Sequence, residues 1–492
     1  MSHLSKRRIQ HTLRRLNDSV ASFRRPVSFS SPLIISSLAL CFGFAISGLI
    51  LAGQGGPRFL RYEDVRNIIT AFAESDATAL PAGGLKNASA WDTWIRSQDS
   101  EIRERIDRGV EDSISNLILY GTSFTRLPRL EEFEEGVSMS GKLTEAARAR
   151  VHALAVALPR SPGNERILFV DDFLARRHVP VESVETYFSA NLQRFVAEQL
   201  AYQEKLRVAG QSGDTGAVLF TRGTLFNKRG LSVDTSLLPN LALQDTLQAL
   251  ARKGVLSPRR VRRIAVIGPG LDFTDKRDGY DFYPLQTLQP FAIMEAVLRL
   301  GLAEPGHIKI VTLDLNPAVN AHVCRLAERA RAGHPYIVQL PRDSAGEWNP
   351  AAIDYWEHFG EIIGSPMAPL PIGKTLSGVV LRAIAIRPRY AGQLEALDLD
   401  IVAQTLGSAP PAGSDSGFDL VVATNILVYY NRFEQGLAMA GIARMMNSGG
   451  IFLANNVLPA QHPESLEYLG RHSTSYSATG AYGDDVVVYR RR

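Results

Sequence analysis

From Ser257 onward the chain alternates short, nearly unbroken apolar runs with segments of helical periodicity, and few folds accept that pattern. The runs are "RIAVIGPG" (Arg263 to Gly270), "HIKIVTLDLN" (His307 to Asn316), "VVLRAIAIRP" (Val379 to Pro388), the first half of "FDLVVATNILVYY" (Phe418 to Tyr430) and "IFLANNVLP" (Ile451 to Pro459). Between them "LQTLQPFAIMEAVLRLG" (Leu285 to Gly301), "PAVNAHVCRLAERARAG" (Pro317 to Gly333) and "RFEQGLAMAGIARMMNSGG" (Arg432 to Gly450) read as helices, the last ended by its two glycines. Strands such as "IAVIG" and "DLVVA", with no polar alternation, are those covered on both faces. The expected fold is therefore a doubly wound, Rossmann-like α/β sheet over residues 257–492. Its last segment, "STSYSATGAYGDDVVVYRR" (Ser473 to Arg491), sets two strand-like runs around a Gly-rich turn and predicts a hairpin at the sheet edge.

At 492 residues the chain exceeds one ordinary hydrophobic core, so more than one domain is expected. Residues 54–256 read as a mostly helical domain. "SAWDTWIRSQDSEIRERIDRGVEDSISNLILYG" (Ser89 to Gly121), "LTEAARARVHALAVAL" (Leu143 to Leu158), "VESVETYFSANLQRFVAEQLAYQEKL" (Val181 to Leu206) and "LPNLALQDTLQALARKGVL" (Leu238 to Leu256) each carry an apolar stripe. Their charged and aromatic residues read as ordinary helix faces, and nothing in them names an activity.

Residues 1–30 hold seven Lys and Arg against Asp18, a balance of +6, while the whole chain is +4, so everything after residue 30 sums to −2. The basicity is a tail, and it gives no nucleic-acid groove on the folded part. The uncharged run Pro32 to Gly53 is long enough to span a hydrocarbon core and is read as a transmembrane anchor over 31–53, with a cleaved signal peptide as the alternative. The charge rule would then place the chain beyond it outside the cytoplasm. Two cysteines, Cys41 and Cys324, exclude a disulfide framework and a thiolate zinc site, and no His–carboxylate spacing suggests a metal.

In an open α/β sheet the ligand lies beyond the carboxyl ends of the strands, where the strand order reverses. Gly268 and Gly270 end the first strand, where a missing Cβ lets backbone approach a ligand; a plain tight turn is the alternative. Asp314 ends the second, where a carboxylate can accept both hydroxyls of a ribose; a capping Asp for the following helix is the alternative. A dinucleotide would need a third glycine opening a helix, but the loop continues as "LDFTDKRDGYDFYP" (Leu271 to Pro284). S-adenosylmethionine has no phosphate, needs no helix N-terminus there, and is preferred.

Together "IAVIGPG", "VTLDLN", "FDLVVATNILVYY", "NSGGIFLANN" and the terminal hairpin resemble the class I S-adenosylmethionine-dependent methyltransferases, over about 235 residues from Ser257. The "NILVYY" stretch (Asn425 to Tyr430) is similar to the chemotaxis-receptor branch of that family, although the first loop departs from that branch and Leu271 or Asp272 stands where a third glycine is usual. The resemblance implies a seven-stranded sheet with an antiparallel terminal hairpin. It also implies cofactor contacts at Gly268, Gly270, Asp314, Leu315, Thr424 and Asn425, with Asn425 and Tyr429 at the reacting centre and Tyr430 beside the acceptor. Asp398 in "LEALDLDIV" is a candidate for the adenine. The expected activity is that of a membrane-anchored methyltransferase with an unidentified acceptor, a protein carboxylate among the options. An exported, non-catalytic binding protein on the same fold and an NAD-dependent oxidoreductase are the alternatives.

Overall fold

The apolar runs are buried on both faces, as their sequence requires: Ile264, Ala265, Val266 and Ile267 are at most 3% exposed, and Leu420 to Ala423 are fully buried. A computed structural model describes residues 55–492, except 82–84, 131, 138–140, 159–162, 212–225, 227–228, 232–234, 275–279, 372–377, 408–415, 457 and 481. The basic tail and the anchor expected over 31–53 lie outside the described residues. Among those described, no helix is long and apolar enough to cross a membrane.

A short strand, β1 (Pro57–Phe59), leads into α1 (Tyr62–Ser75), α2 (Ala88–Tyr120), α3 (Glu145–Ala157), α4 (Glu165–Arg176), α5 (Val184–Gln211) and α6 (Pro239–Arg252). Asn87, Thr144 and Asn164 cap α2, α3 and α4 by accepting backbone N–H groups of the first turn. The sequence reading passed over α1 and α4, helices of 14 and 12 residues whose apolar stripes span few turns. The alternating region then runs β2 (Arg263–Ile267), α7 (Gln289–Arg299), β3 (Lys309–Asp314), α8 (Pro317–Arg331), β4 (Tyr336–Asp343), α9 (Pro350–His358), β5 (Gly364–Met367), β6 (Val379–Ile386), α10 (Pro388–Ala391), β7 (Leu394–Asp398), β8 (Gln404–Leu406), β9 (Phe418–Ala423), α11 (Arg432–Met445), β10 (Met446–Ala454), β11 (Leu466–Ser475) and β12 (Gly483–Arg491).

Seven strands form one mixed sheet in the order β11-β12-β10-β9-β2-β3-β7. The five from β10 to β7 are parallel, and β12 pairs antiparallel with both β10 and β11. The terminal hairpin is therefore present, and the order reverses between β2 and β9. Two expectations are corrected. "VVLRAIAIRP" is a strand, but as β6 it pairs with β4 and β5 in a separate three-stranded sheet, and β7 takes the third parallel position. The helix after β9 stops at Met445, because the chain from Met446 already pairs with β9 through an irregular register.

The long loop between β2 and α7 fastens the helices to the sheet. Arg166 of α4, 1% exposed, donates to the carbonyl oxygens of Phe273, Tyr283 and Asp272 and lies 5.1 Å from the Tyr283 ring. Asp281 receives the N–H and hydroxyl of both Thr122 and Ser123 just past the end of α2, at 2.7–3.0 Å. Within the loop, the Asp272 carboxylate accepts from Tyr283 Oη and Gln286 Nε2 at 2.9 and 2.8 Å. Leu271, Phe273 and Leu285 join the apolar cluster of α2 to α5. Meanwhile α6 buries Leu243, Leu247 and Leu250 in the same core as Ile264 and Phe291.

Arg166→Met would keep the apolar stem but leave three buried carbonyls without their donor. A loss on the order of 3 kcal/mol is expected, at one to three per orphaned group less what water recovers. Urea unfolding of the full chain checks this, and a midpoint unchanged at constant slope would show that the arginine does not hold the loop.

Candidate functional site

A cavity of about 390 Å³ opens at the reversal point between β2 and β9. Its floor is the loop after β2. Gly268 and Gly270 both have left-handed backbone, with φ of +63° and +65°. A Cβ on Gly268 would stand 2.1 Å from Ile426 Cδ1, so a side chain there is excluded by both conformation and space. The Gly268 N–H binds Leu313 O of the neighbouring strand at 2.9 Å, which fixes the turn.

Asp314 ends β3 half-buried in the cavity wall. Withdrawal from bulk water pushes its pKa up to about 7, and nearby Asp398 adds to the rise. The backbone N–H groups of Asn316, Leu315 and Gly270 oppose it, Asn316 N lying 2.7 Å from Oδ1. Asp314 is not the cap of α8, which is Asn316. Leu315, buried, lines the cavity beside it. Among the described residues, the buried side-chain atoms of the cavity wall without a hydrogen-bond partner include Asn316 Nδ2, Gln289 Oε1 and Thr274 Oγ1. Buried polar groups are ordinarily paired, so these mark where a polar ligand belongs.

The loop after β9 supplies Thr424, Asn425, Tyr429 and Tyr430 to the same cavity. Thr424 Oγ1 accepts from Gln289 Nε2. Asn425 is exposed and sits at φ +58°, which a non-glycine residue rarely adopts. It is held there by a reciprocal pair with Asn455 just past β10: its N–H donates to Asn455 Oδ1 at 2.7 Å and its Oδ1 accepts Asn455 Nδ2 at 2.8 Å. Tyr430 is 2% exposed and packs under the Arg105 guanidinium at 5.7 Å, so most of its ring is core.

Gly268, Gly270, Asp314, Leu315, Thr424, Asn425, Tyr429 and Tyr430 therefore line one cavity, the adenine candidate Asp398 does not, and the opposite wall was not anticipated. It comes from α2 (Ile106, Asp112, Asn116), α5 (Phe195, Gln199) and the stretch around Phe226 and Arg229. Gly230 and Leu231 lie directly on α2: a Cβ on Gly109 would be 1.8 Å from Leu231 O, and Leu231 N donates to Arg105 O at 3.1 Å. Arg105 then reaches Arg229 O at 2.8 Å and Tyr429 O at 2.6 Å, tying the helix, the covering stretch and the β9 loop together. Asp398 does not line the cavity; Arg103 of α2 holds its carboxylate at 2.8 and 3.1 Å. Leu399 and Ile401 line that end instead, beside the fully buried Asp400, whose pKa burial lifts to about 8. Gly109 was the one sequence signal for this wall, an unexplained glycine inside a long helix. No group of three or more His, Cys, Asp or Glu side chains among the described residues could hold a metal ion.

Gly268→Ala is expected to cost about 2–4 kcal/mol, combining left-handed strain with overpacking against Ile426. In an Ile426→Ala background the same change should cost only about 1 kcal/mol, because the steric part is gone. A double-mutant cycle by denaturant unfolding measures this, and a coupling near zero would show that Ile426 is not the obstacle.

No protein-family model and no curated protein matches the chain. Among solved structures it is similar to TrmN from Thermus thermophilus, at 12% identity over 52% of this chain and a TM-score of 0.24, and it spans about half (52%) of that protein. It is also similar to a TehB-like SAM-dependent methyltransferase from Corynebacterium glutamicum ATCC 13032 Kitasato (11% identity, 60% of this chain, 99% of that one, TM-score 0.22). A third is the magnesium protoporphyrin IX methyltransferase of Synechocystis PCC 6803, solved with bound SAM (11%, 58% and 97%, TM-score 0.24). The fold assignment rests on the strand order and the terminal hairpin described above rather than on these likenesses.

Proposed function

We propose that the chain is an S-adenosylmethionine-dependent methyltransferase that binds its cofactor in the cavity at the strand reversal. The observation that carries this is the meeting, in one cavity, of a glycine turn that a Cβ would fill, the Asp314 carboxylate, and unpartnered Asn316 Nδ2, Gln289 Oε1 and Thr274 Oγ1. These residues fit the cofactor's parts. The turn at Gly268 and Gly270 gives the methionine portion close approach to backbone, with Thr274, Gln289 and Thr424 offering polar partners. Asp314 accepts the ribose hydroxyls. Leu315, Leu399 and Ile401 offer an apolar bed for the adenine. A dinucleotide fits less well, since α7 begins only at Gln289 and no helix N-terminus opens at the glycine turn.

When bound, the cofactor supplies a methyl group on a cationic sulfonium. The protein's task is then to align the acceptor and keep water out, and positioning alone can provide much of the rate. Asn425, fixed by Asn455, and Tyr429, fixed through its carbonyl by Arg105, are placed to orient what enters between the β9 loop and the helical wall. The similarity of Asn425–Tyr430 to the chemotaxis-receptor branch supports a carboxylate as one acceptor class, which would need no general base. The anchor over 31–53 belongs to the same proposal and would hold the enzyme at a membrane.

Calorimetric titration of S-adenosylmethionine into the full chain tests the assignment. Asp314→Asn should weaken binding by roughly 1–3 kcal/mol, the worth of a hydrogen bond to a charged group. The sign of the pH effect follows from the raised pKa. Only the ionised carboxylate accepts both hydroxyls, so affinity should rise roughly ten-fold from pH 6 to pH 8 as the group titrates near 7, and level off above. The Asn variant should be flat. A parent protein that ignores the cofactor at every pH would refute the proposal.

A further inference from the structure

The two edges of the seven-stranded sheet carry opposite charge. At the carboxyl ends of the parallel strands, where the cavity opens, stand Asp314 and Asp398, and the antiparallel β12 begins there with Asp484 and Asp485. The amino ends carry Arg263 and Lys309, paired at the starts of β2 and β3, and β12 finishes there with Arg490 and Arg491. Strands of five or six residues set the edges about 17–20 Å apart. The helices add to this polarity, since α6, α7, α8 and α11 each have arginine in the last turn. A helix dipole accounts for those arginines. It does not account for Arg61, Arg260 and Lys309, which are exposed and have no carboxylate partner among the described residues. Other charges of this edge are engaged: Asp419 accepts the N–H groups of Arg262 and Arg263 at 2.8 and 3.0 Å, and Glu467 holds Arg490 at 2.7 Å. Its exposed acids include Glu63, Glu464 and Glu304, the last faced by Arg259 at 3.7 Å.

The chain enters the fold at this basic edge. Pro57 of β1 pairs with Leu406, on the way to the amino end of β9, and Arg58 shares the Asp64 carboxylate with Arg444 at the end of α11, at 2.8 and 3.0 Å. The uncharged run ends at Gly53, which leaves at most about 7 Å of chain before Gly55.

We infer that the amino-end edge of the sheet is a contact face for the anionic headgroups of a membrane, and that the cavity opens away from that membrane toward water. The inference rests on the membrane reading of residues 31–53 in the proposal above and is independent of the methyltransferase reading. A span ending at Gly53 brings the edge within the roughly 10 Å over which an anionic surface acts. Guanidinium groups match phosphate oxygens bidentately. The residues after position 30 sum to −2, so net charge draws nothing to such a surface; the difference between the two edges does the orienting. The same surface repels the carboxylates beside the cavity, and the acceptor is therefore met from the aqueous side.

The test uses the full chain, with Cys41→Ser and Cys324→Ser, reconstituted into vesicles of phosphatidylcholine alone or with about 30% phosphatidylglycerol. A bimane is placed on Ser257→Cys, at the amino edge, or on Ala478→Cys, in the hairpin turn at the cavity edge. Nitroxide-headgroup phosphatidylcholine is the quencher. With phosphatidylglycerol the amino-edge probe should be quenched at least three-fold more than the cavity-edge probe. Raising NaCl from about 50 to about 500 mM should remove most of that difference, because salt screens exposed charges. Combining Arg61→Gln, Arg260→Gln and Lys309→Gln should at least halve it, and if that variant does not fold, the lipid and salt comparisons decide. Equal quenching at the two edges, stronger quenching at the cavity edge, or quenching indifferent to phosphatidylglycerol overturns the inference. Protein that high salt strips from the vesicles, with the amino-edge probe quenched before stripping, keeps the contact face and removes the anchor. Protein that never associates with either vesicle removes both. None of these readings involves S-adenosylmethionine, so the methyltransferase reading stands or falls separately on its own titration.

Discussion

The structure depends on a problem of backbone hydrogen bonding at the carboxyl edge of the sheet. A loop leaving a buried parallel strand carries peptide groups that must find partners away from water. In this chain the partners are side chains of the helical segment. Arg166 takes three carbonyls of the loop after β2, and Asp281 gives its carboxylate to Thr122 and Ser123 past the end of α2. The loop is long because it serves as a dock. Once it is held, α2 must cross the sheet edge, and the distance from its N-cap to Gly121 is enough to reach from α11 to the β2 loop. Trp94 meets Phe433 at 5.6 Å near one end, and Asp281 waits past the other.

That arrangement explains how much could be read in advance. The sheet was legible because burial on both faces leaves only apolar residues in β2 and β9, and because Gly268 and Asp314 stand at strand ends, where any ligand of such a sheet must lie. β6 was misplaced because its apolar run satisfies either sheet. Nothing within "VVLRAIAIRP" says that β4 and β5 are its partners, and β7, the true third strand, offers only five residues with exposed Asp398. The cavity's second wall was illegible for a different reason. Asp112, Asn116 and Arg229 look like surface residues in their own segments, and they become a wall only when α2 is laid over the glycine turn. Long-range pairing of this kind has no local period to betray it.

The departures from the familiar loop pattern also acquire a cause. Leu271, standing where a third glycine is usual, is 1% exposed and belongs to the apolar cluster of α2 to α5. A glycine there would free the turn but remove one of the contacts that seat the helices. Asp272 next to it is bonded by Tyr283 and Gln286 and cannot open a helix. The loop has thus exchanged a helix N-terminus for a tertiary anchor.

Asn425 is, with His178 and Arg259, one of the described non-glycine residues with left-handed backbone. A left-handed non-glycine residue costs on the order of 1 kcal/mol and persists only when its surroundings over-determine it. Here the reciprocal amide pair with Asn455 does so, and Asn455 in turn lies 3.4 Å from Asp484 of β12. The terminal hairpin therefore closes the sheet edge and also braces the residue at the mouth of the cavity. On the other side Arg105 fixes the same loop through the carbonyl of Tyr429. The loop between β9 and α11 is gripped from the sheet by one amide pair and from the helical wall by one guanidinium. The parts of the cavity mouth that must agree in position are thus bonded to one another within the chain itself.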